Sequence, residues 1–336
     1  VDIFGTVLYP IKWLIEAILV GWHTLLTTVF GMSGSAGLTW VLSIVGLVLI
    51  VRAALIPVFV RQIKSQRKMM EVAPQLKKIQ DKYKGKKDQF SREAMQRETM
   101  ELYKKAGTNP LSSCLPLLIQ MPIFFSLFSV LNGAKPDSAG HFTAGAGLFT
   151  AKLAEQFYNS SLFGVAPLKY SIQSALAHNP VEVAVVAIAV TMVVLMTASQ
   201  FFTQLQLQSR NQTPEMKASP MYRQQRVLLY ILPVVFIFSG VAFPIGTMFY
   251  WLTSNAWTLV QQFLVIRNLP TPGSEAALAR EARLARKNRA RMSEDALALE
   301  TLSENEAPAP APKPVATQRS QPVGKNRAKK TGSTKK

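Results

Sequence analysis

Cysteine and histidine are almost missing from this sequence. It holds one cysteine, Cys114, and three histidines, His23, His141 and His178, none at metal-ligand spacing. A single cysteine excludes an internal disulfide and a cysteine-held metal cluster. No GxxxxGK[ST] run occurs, so no phosphate loop of that type is evident. The expectation is a non-enzymatic chain that uses no cofactor and carries no nucleotide engine. Acidic residues are scarce too: 19 Asp/Glu stand against 38 Lys/Arg, a formal net charge of +19.

What the chain has in abundance is apolar residues, 49% of the total. A soluble domain does not combine that content with so much charge unless the two are segregated, and here they are. Long apolar runs alternate with basic, polar stretches, which is the pattern of an all-α polytopic membrane protein. Five runs are long enough to read as spans: 38–60, 111–131, 181–202, 227–243 and 245–266.

The first run, LTWVLSIVGLVLIVRAALIPVFV, contains a charge, Arg52. An arginine near the centre of a span costs about 2.5–3.5 kcal/mol on insertion scales and calls for a partner or water. Snorkelling to the interface is one reading. Arg61 already marks that interface, however, and in a continuous helix Arg52 lies roughly 13 Å deeper at 1.5 Å per residue. A wet, protein-lined cavity is the other reading.

Residues 1–37 precede the first span. Leu8, Ile11, Ile15, Ile18, Trp22, Leu25 and Val29 recur every three or four residues, while Lys12, Glu16, His23 and Thr27 share another face. This amphipathic pattern suits a helix lying in the membrane interface. A sixth span and an uncleaved signal sequence are the rivals, the latter disfavoured because no basic stretch precedes the apolar part. GMSGSAG then turns the chain into the first span.

Residues 61–106 hold fourteen Lys/Arg and six Asp/Glu. Val72, Leu76, Ile79 and Tyr83 form one stripe, and Met95, Thr99 and Leu102 a second, on either side of a break at Lys84-Gly85-Lys86-Lys87-Asp88. The pattern predicts an antiparallel helical hairpin in water. Asn109-Pro110 reads as cap and first position of the second span, which carries Pro116, Gln120 and Pro122. Gln120 either bonds a neighbouring helix or lines a groove. A Gly/Ala-rich connection covers 132–180, and Asn179-Pro180 repeats the cap signature before the third span. The fourth is broken by Pro233; the fifth carries Tyr250, Trp251, Ser254, Asn255, Gln261 and Gln262. The tail, 268–336, is basic, contains APAPAPKP, and is expected to be largely disordered.

With five spans, 61–106, 203–226 and 267–336 share a side, and they hold 33 of the 38 Lys/Arg. The positive-inside rule puts that side, with the C-terminus, in the cytoplasm and the N-terminus outside.

Several ordered runs resemble one family. LIVRAALIP around Arg52, APQLKKIQDKY in the hairpin, GTNPLSSCLPLLIQMPIFFSLF, and FPIGTMFYWLTSNAWTLVQQ are similar to segments of the YidC-type membrane protein insertases. The likeness covers about residues 5 to 267, least in 134–180, and is strongest to the forms of high-GC Gram-positive bacteria. It implies a five-helix core, residues 38–267, around a hydrophilic groove open to the cytoplasm. It implies that Arg52, Gln120, Met121, Tyr250 and Trp251 border the substrate path. It also implies partners: nascent membrane proteins, the Sec translocon, a targeting partner such as the signal recognition particle receptor at the hairpin, and the ribosome at the tail through ribosomal RNA. Anionic lipids compete for that tail. From the residues alone, a channel or transporter using Arg52 as an anion site stays open, although no inverted repeat is evident, and so does a chaperone that folds membrane proteins inserted by another machine.

Overall fold

The computed structural model describes residues 3–86, 88–107, 115–212 and 240–305, with a few positions between 217 and 238. Asn109-Pro110, Cys114, most of the fourth apolar run and residues 306–336 lie outside the described residues. The described chain is dominated by helices: α1 (Ile3–Thr28), α2 (Gly37–Ala54), α3 (Ile56–Glu71), α4 (Ala73–Lys82), α5 (Gln89–Lys105) and α6 (Leu115–Gly133) in its first part. The run expected as one helix over 38–60 is two, because Pro57 sits one turn below Ala53. It has no N–H for the Ala53 carbonyl, and its ring crowds that oxygen. Arg52 is therefore in the last turn of α2, where unsatisfied carbonyls favour a cation by about 0.3–1 kcal/mol. The 13 Å depth derived for a continuous helix does not carry over to this broken one.

The basic segment forms the paired helices α4 and α5, with α3 leading into them. Both stripes expected to meet are half-buried, and Tyr103 beside them is buried. Gly85 turns the chain at φ +86, and Asp88 caps α5 by accepting the Ser91 N–H at 2.8 Å. Across the pair, Lys82 and the Tyr83 hydroxyl (2.9 Å) both donate to Glu98. That contact holds the Lys82 ammonium above its ordinary pKa and the Glu98 carboxyl below its own.

The Gly/Ala-rich connection between α6 and the next long helix is a folded cap. It contains α7 (Ala151–Tyr158), the two-stranded antiparallel hairpin β1 (Ser161–Leu162) and β2 (Ala166–Pro167), and the short α8 (Ile172–Leu176). Trp40, fully buried in the first turn of α2, gathers it: His23 stacks on the indole at 4.2 Å, and Phe149 and Phe157 meet it edge-on at 5.9 and 5.4 Å. His23 Nε2 faces the Gly34 carbonyl at 2.9 Å and so carries the ring proton, while burial lowers the imidazole pKa.

α1 packs against α2 and α6. Its expected polar face is the one that turns inward. Glu16 is 1% exposed and accepts backbone N–H groups of Ala146 (2.7 Å), Gly147 (2.6 Å) and Phe149 (3.4 Å). Beside it Tyr9, Lys12, Ser129 and Gly133 help line a cavity of about 210 Å³. Of the expected apolar stripe, Ile15 is buried, but Leu25 and Val29 are exposed. Trp22 lies over Gly46 of α2, where a methyl group would come within 2.4 Å of the indole.

α9 (Val183–Arg210) and α10 (Ile245–Asn268) complete the bundle and pack on each other and, for α10, on α2. The expected cap at Asn179-Pro180 is corrected: that bond is cis, in the turn before α9, and the N-cap is Glu182. α10 begins after Pro244, and its first amides are met by the cap: Ile245 donates to the Tyr170 carbonyl at 2.9 Å and Gly246 to that of Leu168 at 3.0 Å. Among the described residues, two helices, α2 and α9, are long and apolar enough to cross a membrane. Exposed apolar residues run along both, among them Leu42 and Leu49 on α2 and Val183, Val190 and Val194 on α9.

The tail is corrected in part. Residues 275–305 form α11 (Glu275–Asn305), where disorder was expected. Ala, Leu, Arg and Glu dominate that stretch and no Pro or Gly interrupts it, so local propensity carries the helix. The first compact unit runs to Ala282; the second begins at Arg283 inside α11, and its side chains are exposed as far as Leu297.

Candidate functional site

α2, α6 and α10 bring polar side chains together inside a largely apolar bundle. Tyr250 and Ser254 are four residues apart on α10 and therefore share a face. Arg52 Nη2 donates to the Ser254 hydroxyl, and Gln120 Nε2 donates to the Tyr250 hydroxyl. Tyr250 is 3% exposed and Ser254 5%, so neither hydroxyl has ready access to bulk water. The bond from each neighbour replaces it, which is what a buried polar group requires. One turn further on, Thr258 folds its hydroxyl back to the Ser254 carbonyl at 2.8 Å.

Arg52 keeps most of its donors uncommitted to a carboxylate. Its guanidinium carbon stands 5.7 Å from the Phe59 ring centroid, and no acidic partner is within ion-pair distance among the described residues. A half-buried arginine held by one hydroxyl and one ring is stabilised in place without being neutralised. It retains a net positive charge that an incoming anion can meet.

Aromatic rings floor the same region. Phe124 lies 4.9 Å from Trp251 and 6.1 Å from Tyr250, with Phe243 at 5.6 Å edge-on. Asn255 turns the other way, its amide on the Met196 carbonyl of α9 at 3.3 Å. Of the five residues singled out from sequence, the structure gathers Arg52, Gln120, Tyr250 and Trp251. Met121 stands apart. It shares an exposed stripe of α6 with Leu118 and Phe125, at 38, 60 and 47% exposure. Two residues of the cluster were not among those five: Ser254, noted on the fifth span without a role, and Phe124. The four-residue step from Tyr250 to Ser254 was the available signal for the first; nothing in an apolar run distinguishes Phe124 from its neighbours.

The sequence matches the family described as 60Kd inner membrane protein over residues 31–272, a range that includes every residue of this cluster. It is 42% identical to the membrane protein insertase YidC of Tropheryma whipplei (strain Twist), over 98% of both chains. The YidC of Streptomyces avermitilis is also 42% identical, over 83% of this chain and 61% of its own. That of Bifidobacterium longum is 38% identical over 96% and 95%.

Proposed function

We infer that this chain, which belongs to the 60Kd inner membrane protein family, is a membrane protein insertase: it takes hydrophobic segments of nascent membrane proteins into the lipid bilayer of a bacterial inner membrane. The observation that carries the mechanism is an unneutralised arginine inside the apolar bundle, bonded to Ser254 next to a second polar pair.

Inserting an apolar helix is downhill by itself. The barrier is the polar flank, each unsatisfied backbone group costing several kcal/mol in hydrocarbon. A hydrophilic groove reaching Arg52 from the cytoplasm shortens the dry path and gives an acidic flank a transient partner. The apolar part then slides into lipid along the side between α2 and α10. A membrane potential favours outward movement of acidic flanks by about 2.3 kcal/mol per charge per 100 mV. Short, weakly acidic outer tails are therefore expected to cross readily, and long basic ones poorly. Reconstituting the protein alone in sealed vesicles and scoring protease protection of tail variants tests this; equal crossing of long basic tails contradicts it.

Five spans, 38–60, 111–131, 181–202, 227–243 and 245–266, with the N-terminus outside, are supported by the 33 of 38 Lys/Arg on one side of that topology. An interfacial α1 is supported by its contacts. Glu16 meets the loop beyond the end of α6, and His23 meets the beginning of α2, so both parts of the helix touch the end assigned to the outside. The hairpin α4–α5 then lies in the cytoplasm, where targeting partners such as the signal recognition particle receptor and the Sec translocon would meet it. The basic tail suits ribosomal RNA, with anionic lipid headgroups as a competitor. Ribosome co-sedimentation is expected to fall steeply with added salt and on removing 280–336; salt-insensitive binding would exclude a phosphate-contact mode.

A further inference from the structure

The tip of the β1–β2 hairpin departs from two habits of folded chains at once. Phe163 has φ +52, a left-handed backbone usually left to Gly, Asn or Asp, and it is 77% exposed. Val165 is 54% exposed, and Gly164 between them is also left-handed at φ +77. The residues on either side are the opposite: Leu162 is 6% exposed and Ala166 0%. A firmly packed base thus projects two apolar side chains. Strain retained at an exposed aromatic points to a use outside the fold.

The position of the base identifies the occupant. Gly37, the first residue of α2, lies so close to β1 that a methyl group there would stand 2.4 Å from the Ser161 carbonyl and 2.7 Å from the Leu162 nitrogen. From that point an exposed apolar stripe of α2 begins, with Leu38 and Leu42 at 42 and 37% exposure and Leu49 at 42%. Just past β2, the Leu168 and Tyr170 carbonyls hold the first amides of α10. Between them Lys169 places its ammonium 3.5 Å from the Tyr158 ring centroid. Cation, tyrosine rings and exposed apolar tip together are the chemistry of a membrane–water interface.

We propose that Phe163 and Val165 insert into the headgroup–acyl boundary of the leaflet at the start of α2, anchoring the segment that joins the starts of α2 and α10. This rests on the membrane placement of α2 given above. The test uses the full chain with Cys114→Ser and a nitroxide on Val165→Cys, in vesicles of phosphatidylethanolamine and phosphatidylglycerol. Collision of the label with oxygen is compared with collision with a water-soluble nickel chelate, with reference labels at Leu42 and Ser138. The oxygen-to-nickel ratio at 165 is expected to exceed that at 138 several-fold and to fall to the Ser138 value when Phe163→Asp is added. A ratio equal to that of Ser138 from the outset overturns the proposal, as does one that Phe163→Asp leaves unchanged. Shielding from both reagents overturns it in favour of a protein partner. If the Leu42 label itself reports water, the placement of α2 fails and the proposal with it. Phe163→Asn, which takes the left-handed backbone more easily, is expected to leave the thermal midpoint in detergent unchanged or higher; a large fall would make Phe163 a fold-holding residue instead.

Discussion

Arg52→Ala is expected to lose about a hundredfold in the initial rate of inserting a short single-span substrate with an acidic outer tail, while Arg52→Lys keeps most of it. Two unit charges 4 Å apart at an effective dielectric of 20 attract by about 4 kcal/mol, and water in the groove screens part of that. Alanine removes the whole term. Lysine restores the charge but not the planar fork, so its rate is expected to stay somewhat below wild type. The comparison is made in reconstituted vesicles on variants matched for abundance and monodispersity. Equal activity of alanine and lysine variants at the wild-type level would make Arg52 structural, and hydration with local membrane thinning would then carry the mechanism.

The second large effect is expected far from that cluster. Glu16→Ala removes the acceptor for three backbone N–H groups of the cap, at Ala146, Gly147 and Phe149. Phe149 is buried, Ala146 half-buried and Gly147 exposed, so water meets part of what the carboxylate leaves, and the loss is about 1–3 kcal/mol. A thermal midpoint lowered by about 5 °C in detergent is the expected reading. Faster hydrogen exchange at Ala146 and Gly147 is the local one. Glu16→Gln keeps one acceptor oxygen and turns an NH₂ toward the others, so it is expected to fall between. An unchanged midpoint with unchanged exchange would mean that these amides find other partners.

Glu16 also shows why part of the molecule could not be read from its sequence. On a helical wheel it sits with Lys12, His23 and Thr27, a face that suits water or headgroups. Its actual partners are backbone amides about 130 residues away, and no periodicity encodes them. The cap was hidden for the same reason: a Gly/Ala-rich composition gives no stripe, yet Trp40 and two phenylalanines assemble it through contacts between distant segments. The long apolar helices, the paired basic helices and Arg52 were legible because each rests on local patterning: run length, a three-to-four repeat, and a charge in the wrong solvent. Within the cluster, Gln120 and Tyr250 could be named but not paired, since packing of α6 against α10 decides which amide reaches which hydroxyl. The helix over 275–305 was legible in propensity and was outweighed by the low apolar content that follows it.

Water access to the cluster tests the insertase mechanism most directly. In a Cys114→Ser background, Gln120→Cys is challenged in sealed, oriented vesicles with a membrane-impermeant maleimide from one side at a time. Labelling from the side bearing the basic hairpin, and not from the other, is the predicted result. Labelling only from the opposite side, or none while the detergent-unfolded protein reacts fully, would contradict a hydrophilic groove open to the cytoplasm.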